Sequence, residues 1–596
     1  IILPGEEITV KYNADSSNLA GNNDIKLVAY LYDDNLYKTT DITLAESGNI
    51  YTGKIKTDKN TLGVILKFVS VDKIDNNKEN GYTIFLSNKN GERIPGSLAG
   101  YGVAINTWGS YYLDLDRDKE KAFNYIKEDI DSNPDIKNKF LDTYFEIISS
   151  IKPEKKDDII KQELNYLEKE NPESEEALLV LNKWYGMIGD DSKAKLYENI
   201  LLENYPLGKY AEDLKVKEFK LEKDVNKKLE LARNFENKFP ESEYVQYTYD
   251  ITANVYRDNQ EYESALEFLK ENVDKTSTYR FYSVVKRMID ENADMNIALS
   301  IAGLGVERSV KELSNPVEKQ PEYFSEREWF EEREYIAGLN NFGMGKALYN
   351  LNRREEALEV LKEAAALTKE KDDLINELYA KVLIENGKYA FAMSKISDFI
   401  KTGHGTSEMK SYLREAYLNE EGTENGFDTY AAQFEDAARE LLINRLKNEM
   451  MLEPAPKFTL HDLSGSAISL QDYRNKTVII DFWATWCAPC RESFPAMKKS
   501  VEKFQDDDNV KFLFINSWER TDKKLKNASD FMTRNDYPFH VLLDEENKVI
   551  EKYKVSGIPT KFVIDSEGNI RFKSVGFEGS DDKLVEEIST MISLIN

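Results

Sequence analysis

Apolar positions along the chain change their period twice. Up to about residue 112, short β-type runs at 8–12, 25–32, 50–56, 64–71 and 82–86 lie between turn clusters such as Asn22-Asn23, Ser47-Gly48 and Asn80-Gly81. From about 113 to 450 the spacing becomes helical, rich in Glu, Lys, Leu, Ala and Tyr and broken by short Asn, Gly or Pro connectors, which predicts helix pairs. From 451 to 596 strand and helix patterns alternate. Within that stretch an apolar run at 477–481 ends in Asp481 and leads through a turn at Cys487 into a helical segment. Three domains are expected: 1–112 as a β-sandwich, 113–450 as helical repeats and 451–596 as an α/β unit.

The β-runs, at intervals near ten residues, suit a small sandwich that resembles an immunoglobulin-like module, although no Cys pair accompanies it. Its expected role is binding or spacing, and a stabilising cap serves equally well. In the helical stretch Pro172, Pro206 and Pro240 recur at an interval of 34, in the connectors Asn171-Pro172-Glu173-Ser174, Tyr205-Pro206-Leu207-Gly208 and Phe239-Pro240-Glu241-Ser242. Ala265, Ala357 and Ala392 occupy one place in three similar helix starts, where a small side chain lets a neighbouring helix approach closely. These features resemble a degenerate tetratricopeptide array with a poorly fitting stretch at 309–332. Such an array implies a surface for a partner protein, with a rigid spacer as the alternative.

Composition narrows the partners. The chain has 596 residues, 41% hydrophobic and 32% charged, with 29 Gly and 15 Pro, enough apolar material for several cores and too little bias for a disordered chain. A net charge of -28 repels nucleic acid and anionic membrane surfaces, so neither is an expected partner. The apolar run at 64–71 is interrupted by Lys67, and no stretch reaches the roughly 18 apolar residues of a membrane span. The first residue is Ile rather than Met, from which we expect a removed leader that carried any secretion signal or lipid anchor.

Two cysteines, Cys487 and Cys490, are the sharpest chemical signal. If Ala488 and Pro489 open the following helix, Cys487 lies at its N-terminus, where unpaired N–H groups and the helix dipole favour an anionic, nucleophilic sulfur. Cys490, one turn deeper, can then resolve a mixed disulfide. Three other readings compete. A zinc site would need partners from His404, His461 and His540, which lie scattered; a structural disulfide across so short a loop removes little entropy; a peroxidatic cysteine would want Thr at position 484, which is Ala. No cofactor beyond the cysteine pair, and no metal, is expected.

Residues 451–596 resemble the thioredoxin-fold, extracytoplasmic thiol-disulfide oxidoreductases of the TlpA/ResA type. The resemblance rests on Ala455-Pro456-Lys457-Phe458, the Ser464-Gly465 turn, the Cys-x-x-Cys helix with Phe494-Pro495, Ser556-Gly557-Ile558-Pro559-Thr560, and the Glu567-Gly568-Asn569 turn. It implies that Pro559 is the cis-proline facing the dithiol and that Ile558 offers backbone groups to a substrate strand. It also implies that Trp486, with Ala488 and Pro489, shapes the docking surface. Asp481 matches the buried acid that takes the resolving cysteine's proton, for which burial should raise its pKa. The chain departs from the family at Ser493, where ResA-like members carry Glu, with Glu492 beside it. A Lys partner for the acid is missing from strand 512–515, where thioredoxin has one.

The expected function is that of an extracytoplasmic oxidoreductase of the periplasm or cell envelope, reducing disulfides of proteins held by the helical repeats and recharged by an external electron donor. Ala488-Pro489 between the cysteines resembles the pairs of reducing thioredoxins. The alternative is a cell-envelope scaffold with an accessory thioredoxin-like module; a cytosolic redox chaperone is disfavoured by the resemblance alone.

Overall fold

The computed structural model describes all residues except 1, 23, 34–35, 71–72, 153, 171 and 578–580. The expectations placed on Asn23, Val71 and Asn171 therefore lie outside the described residues. The chain packs as two compact units, Ile1–Leu351 and Asn352–Asn596.

The first unit opens with eight strands: β1 Glu7–Asn13, β2 Lys26–Tyr32, β3 Tyr37–Ile42, β4 Leu44–Ser47, β5 Ile50–Lys56, β6 Gly63–Ser70, β7 Lys73–Asp75 and β8 Tyr82–Phe85. They form two antiparallel sheets, β1-β5-β4 and β3-β2-β6 with β7 and β8 both on β6. The five predicted runs are all strands. The reading missed β3, β4 and β7, which are short or polar and carry no clean alternation. Strand β2 explains why 25–32 reads as unbroken apolar sequence. Leu27, Ala29 and Leu31 face a core between the sheets, while Val28, Tyr30 and Tyr32 face helices on the other side.

Strand structure ends before residue 112, because the run Ser97–Asn106 is a helix with all ten residues buried. Its glycines permit close packing: a Cβ on Gly102 would sit 2.8 Å from the Ile126 side chain and 2.9 Å from the Ala122 carbonyl oxygen. Helix pairs follow. The second members of four successive pairs begin at Glu175, Lys209, Tyr244 and Thr278, close to the interval marked by the prolines. The irregular stretch at 309–332 ends a 20-residue helix, Met295–Ser314, and starts a 25-residue one, Glu326–Asn350. Its loop returns to the β-module, where Tyr323 stacks on Tyr112 at 4.7 Å and Thr39 donates to the Glu322 carbonyl.

The second unit begins with four helices from Arg354–Leu367 to Ser407–Glu421, in which Ala357 and Ala392 are fully buried. A fifth helix, Phe427–Glu449, leads into an eight-stranded sheet. Its strands are β9 Glu453–Pro454, β10 Thr459–Asp462, β11 Ala467–Ser469, β12 Thr477–Trp483, β13 Val510–Asn516, β14 Val541–Leu543, β15 Thr560–Ile564 and β16 Asn569–Val575. The spatial order is β11-β10-β14-β13-β12-β15-β16-β9. Helix Ala488–Lys503 joins β12 to its parallel neighbour β13, and the C-terminal helix Asp581–Ile595 packs beside it. Both expected turns are present: Gly465, at φ +86°, turns β10 into β11, and the Asp565 N–H donates to Asn569 O between β15 and β16.

Leu446, from the helix before the sheet, is fully buried in the same core as Cys487, Cys490, Phe494 and Ile588. Phe427 and Ala431 are buried at the start of that helix, and Leu446 is the buried side chain near its end. Leu446→Ala should cost the C-terminal domain about 2–5 kcal/mol. The check is a lower urea midpoint followed by tryptophan fluorescence, with an unchanged midpoint for Leu441→Ala, an exposed position on the same helix.

Candidate active site

All seven residues of β12 are buried, and the chain leaves its C-terminal end through Ala484, Thr485 and Trp486 to reach Cys487. Cys487 caps the helix Ala488–Lys503, with its Sγ accepting the Cys490 N–H at 3.2 Å. Pro489 lies in the first turn, where its missing N–H costs nothing. The two sulfurs are joined as a disulfide. Cys490 is fully enclosed and Cys487 nearly so, while Ala488, Pro489 and Trp486 are exposed around them.

The opposite wall comes from the loop before β15. The Ile558-Pro559 bond is cis, and the Ile558 carbonyl oxygen lies 3.5 Å from Cys487 Sγ. The sequence-predicted residues Cys487, Cys490, Trp486, Ala488, Pro489, Ile558 and Pro559 thus meet at one end of the sheet. Asp481 lies deeper, on the face of β12 that carries Ile479 and Trp483 into the core shared with both cysteines. Burial pushes its carboxyl up to about 6, against the opposing pull of Lys561.

Lys561 supplies a partner for Asp481 that the sequence reading did not identify. Strand β13 indeed offers no cation to Asp481, since Phe514 stands opposite it; the partner comes instead from β15 on the other side, where Lys561 pairs in register with Asp481. Its Nζ is 3.9 Å from Asp481 Oδ1, and both side chains are almost wholly buried. The available signal was a lysine inside the apolar run 560–564, two residues after Pro559.

A second group was also missed. Glu519, in the loop after β13, accepts hydrogen bonds from the Thr485 N–H at 2.6 Å, Thr485 Oγ1 at 2.8 Å, Asn516 Nδ2 at 2.9 Å and Asn527 Nδ2 at 3.0 Å. Trp486 Nε1 donates to the Trp518 carbonyl at 2.8 Å, and the Arg520 guanidinium stacks 3.9 Å above the Trp486 ring. Residues 516–527 therefore fix the loop that presents Cys487. The pairings of Glu519 with Thr485 and of Trp518 with Trp486 join residues 34 and 32 apart, and no local pattern announces them. Ser493, in the place expected for a second acid, is buried and donates to the Cys490 carbonyl at 2.9 Å, whereas Glu492 is exposed. Among the described residues no group of three or more His, Cys, Asp or Glu could hold a metal ion.

Residues 451–573 match the AhpC/TSA family. Over 124 residues the chain is 36% identical to thioredoxin-like protein YneN of Bacillus subtilis, covering 21% of this chain and 71% of that relative. It is 32% identical over 152 residues to thiol-disulfide oxidoreductase ResA of Bacillus cereus, covering 25% and 79%. The chain belongs to this ResA-like thioredoxin family. A solved thiol:disulfide interchange protein of the thioredoxin family from Chlorobium tepidum is 25% identical, covers 24% of this chain and 97% of its own, and gives a TM-score of 0.21. The relatives match the C-terminal domain, and an oxidoreductase activity follows for it.

In a ResA-like site the geometry supplies a disulfide at a helix N-terminus, a carbonyl beside the first sulfur and a buried acid with a near-neutral pKa. Glu519→Ala leaves the Thr485 N–H without its carboxylate and should destabilise the domain by about 2 kcal/mol, read as a drop in urea midpoint. Asp481 adds a pH dependence. Unfolded, it titrates near 3.8, and folded near 6. Between these values the native state holds the extra proton, so stability falls as pH rises through that window. The stability of the wild type minus that of Asp481→Asn should therefore decline by about 3 kcal/mol between pH of about 4 and about 7, checked by urea denaturation of both proteins across the range.

Proposed function

We propose that this protein is an extracytoplasmic thiol-disulfide oxidoreductase that reduces protein disulfides, with substrates held by its helical array in the manner of tetratricopeptide repeats. The observation that carries the reading is the Cys487–Cys490 disulfide at a helix N-terminus, facing the carbonyl of Ile558. The ResA-like relatives support the chemistry, and the family resemblance supports a periplasmic or cell-envelope setting. No helix is long and apolar enough to cross a membrane among the described residues.

In the reduced enzyme the Cys487 thiolate attacks a substrate disulfide, forming a mixed disulfide and expelling one substrate thiolate. Cys490 passes its proton to Asp481 and attacks Cys487 Sγ. The mixed disulfide breaks, the second substrate sulfur leaves with the electron pair, and Cys487–Cys490 closes. Two electrons have moved to the substrate, and an external dithiol donor must restore them. Trp486, Ala488 and Pro489 form the exposed rim that a substrate meets, and Ile558 pairs with its backbone beside Pro559.

Cys490→Ser should trap substrates on Cys487 as mixed disulfides, visible on non-reducing gels and lost on adding dithiothreitol. Cys487→Ser should trap none. Absence of adducts in the first variant favours the scaffold reading. Equilibration of the wild type with a dithiothreitol series, followed by Trp486 fluorescence, should give a potential near about -270 mV; a value of about -120 to -180 mV would reverse the direction to oxidation or isomerisation.

A further inference from the structure

The residues just after β13 take an unusual path to the rim of the dithiol site. Trp518 sits at φ +57°, in the left-handed region that a bulky side chain rarely adopts. Its N–H donates to Asn547 Oδ1 at 2.7 Å, and its carbonyl accepts Trp486 Nε1–H at 2.8 Å. The next two residues complete a clamp on the segment ahead of Cys487. Glu519 accepts the Thr485 N–H and hydroxyl, and the Arg520 guanidinium lies 3.9 Å above the Trp486 ring. The tripeptide 518–520 thus grips both residues that lead into Cys487.

Two members of the clamp have their polar groups occupied and the third does not. The Trp518 carbonyl is taken by Trp486, and the Glu519 carboxylate by Thr485, Asn516 and Asn527. Arg520 is exposed and, among the described residues, makes no ion pair or hydrogen bond; stacking on Trp486 is what holds it. Stacking uses the face of a guanidinium and leaves the N–H donors at its edge, in the fork that matches a carboxylate. Trp486 is exposed on the rim with Ala488 and Pro489, so the fork lies where a substrate docks. The chain as a whole, at a net charge of -28, repels acidic partners. A cation fixed at the mouth of the site therefore acts against the general field.

We propose that Arg520 is a specificity-determining residue of the dithiol site, and that it binds the carboxylate of an Asp or Glu side chain flanking the substrate disulfide. The inference deepens the oxidoreductase reading and rests on it. Trp486 is the platform: by holding the guanidinium flat it reduces the rotamer freedom that binding would otherwise remove. The carboxylate accepts two parallel N–H bonds from the fork, and the disulfide beside it is delivered to Cys487. The redox step itself is unchanged. The dithiol gives two electrons to the substrate disulfide and closes as Cys487–Cys490, while each substrate sulfur takes up a proton. Because the carboxylate contact forms before that step and persists through it, it strengthens binding without lowering the barrier from the bound state.

The test offers the reduced full chain, freed of reductant, three single-disulfide peptides that differ only in carrying Glu, Gln or Lys beside each cysteine. Peptide dithiol is separated by chromatography, and each rate is divided by that peptide's rate with dithiothreitol, which removes the effect of the flanking charge on the disulfide itself. The Glu peptide should be favoured over the Gln peptide by about fivefold, in the concentration dependence rather than the limiting rate. The preference should fall toward unity at about 1 M salt, where screening acts within about 3 Å. Arg520→Gln should abolish it, Arg520→Lys should keep part of it, and Arg520→Glu should invert it in favour of the Lys peptide. Arg491→Gln, which removes an exposed cation one residue after Cys490, should leave it in place. A residue that only braces Trp486 would alter all three peptides alike, so an undiminished preference in Arg520→Gln overturns the proposal, as does equal loss in Arg491→Gln. Equal normalised rates for the three peptides with the wild type keep the proposed function and remove the role of Arg520. If the reduced protein acts on none, the peptide dithiols are offered to the oxidised protein: a preference for Glu there keeps the role of Arg520 and reverses the redox direction, and no preference there overturns the proposal.

Discussion

The C-terminal domain depends on how its central strand is paired. Strand β12 runs parallel to β13 on one side and antiparallel to β15 on the other, with all seven residues buried. A parallel pair cannot be joined by a tight turn, so the chain must leave the end of β12 and return along a crossover, here the helix Ala488–Lys503. The N-terminus of that helix therefore stands at the C-terminal end of β12. Because β15 runs the opposite way, its beginning lies at the same end, and the Ile558-Pro559 loop arrives against Cys487. The meeting of dithiol and cis-proline follows from strand direction before any side chain is considered.

The same pairing places two opposite charges where water is scarce. Asp481 and Lys561 share a register position on adjacent strands, so their side chains project to one face, beneath the core that holds the cysteines. Replacing such a pair with apolar residues is often stabilising, and breaking it by removing one member is costly. A carboxyl raised to about 6 is poised to exchange a proton near neutrality, which a fully solvated aspartate is not. Stability is thus lower at the pH where the group is chemically useful.

Above the sheet, rigidity is supplied by a carboxylate rather than by packing. Glu519 gathers the Thr485 amide, the Thr485 hydroxyl and two asparagine amides, and so orders the residues just ahead of Cys487. Below it, the helix Phe427–Glu449 reaches into the core with Leu446 and touches the last helix through Arg445. The compact unit accordingly begins at Asn352, well before the first strand of the sheet. An apolar residue every third or fourth position does not reveal which domain a helix will serve.

Much of the site was legible in the chain itself. The spacing of Cys487 and Cys490, the proline that opens their helix, the acid ending the apolar run 477–481 and the Ile558-Pro559 pair are local features whose chemistry is intrinsic to the residues. The β-runs and the interval of 34 were legible for the same reason, since burial on one face imposes a period on sequence. The helix Ser97–Asn106 was not, because a run of small apolar residues buried on every side has no period to read. Lys561 and Glu519 were visible as residues but not as partners, and Glu587 and Arg445 gave no sign of forming an ion pair. Contacts between residues 34 to 142 positions apart depend on strand order and helix docking, which one-dimensional pattern does not encode. The sequence by itself determined which reactive side chains lie close together along the chain, because spacing is a local property; which groups face one another was decided by the fold.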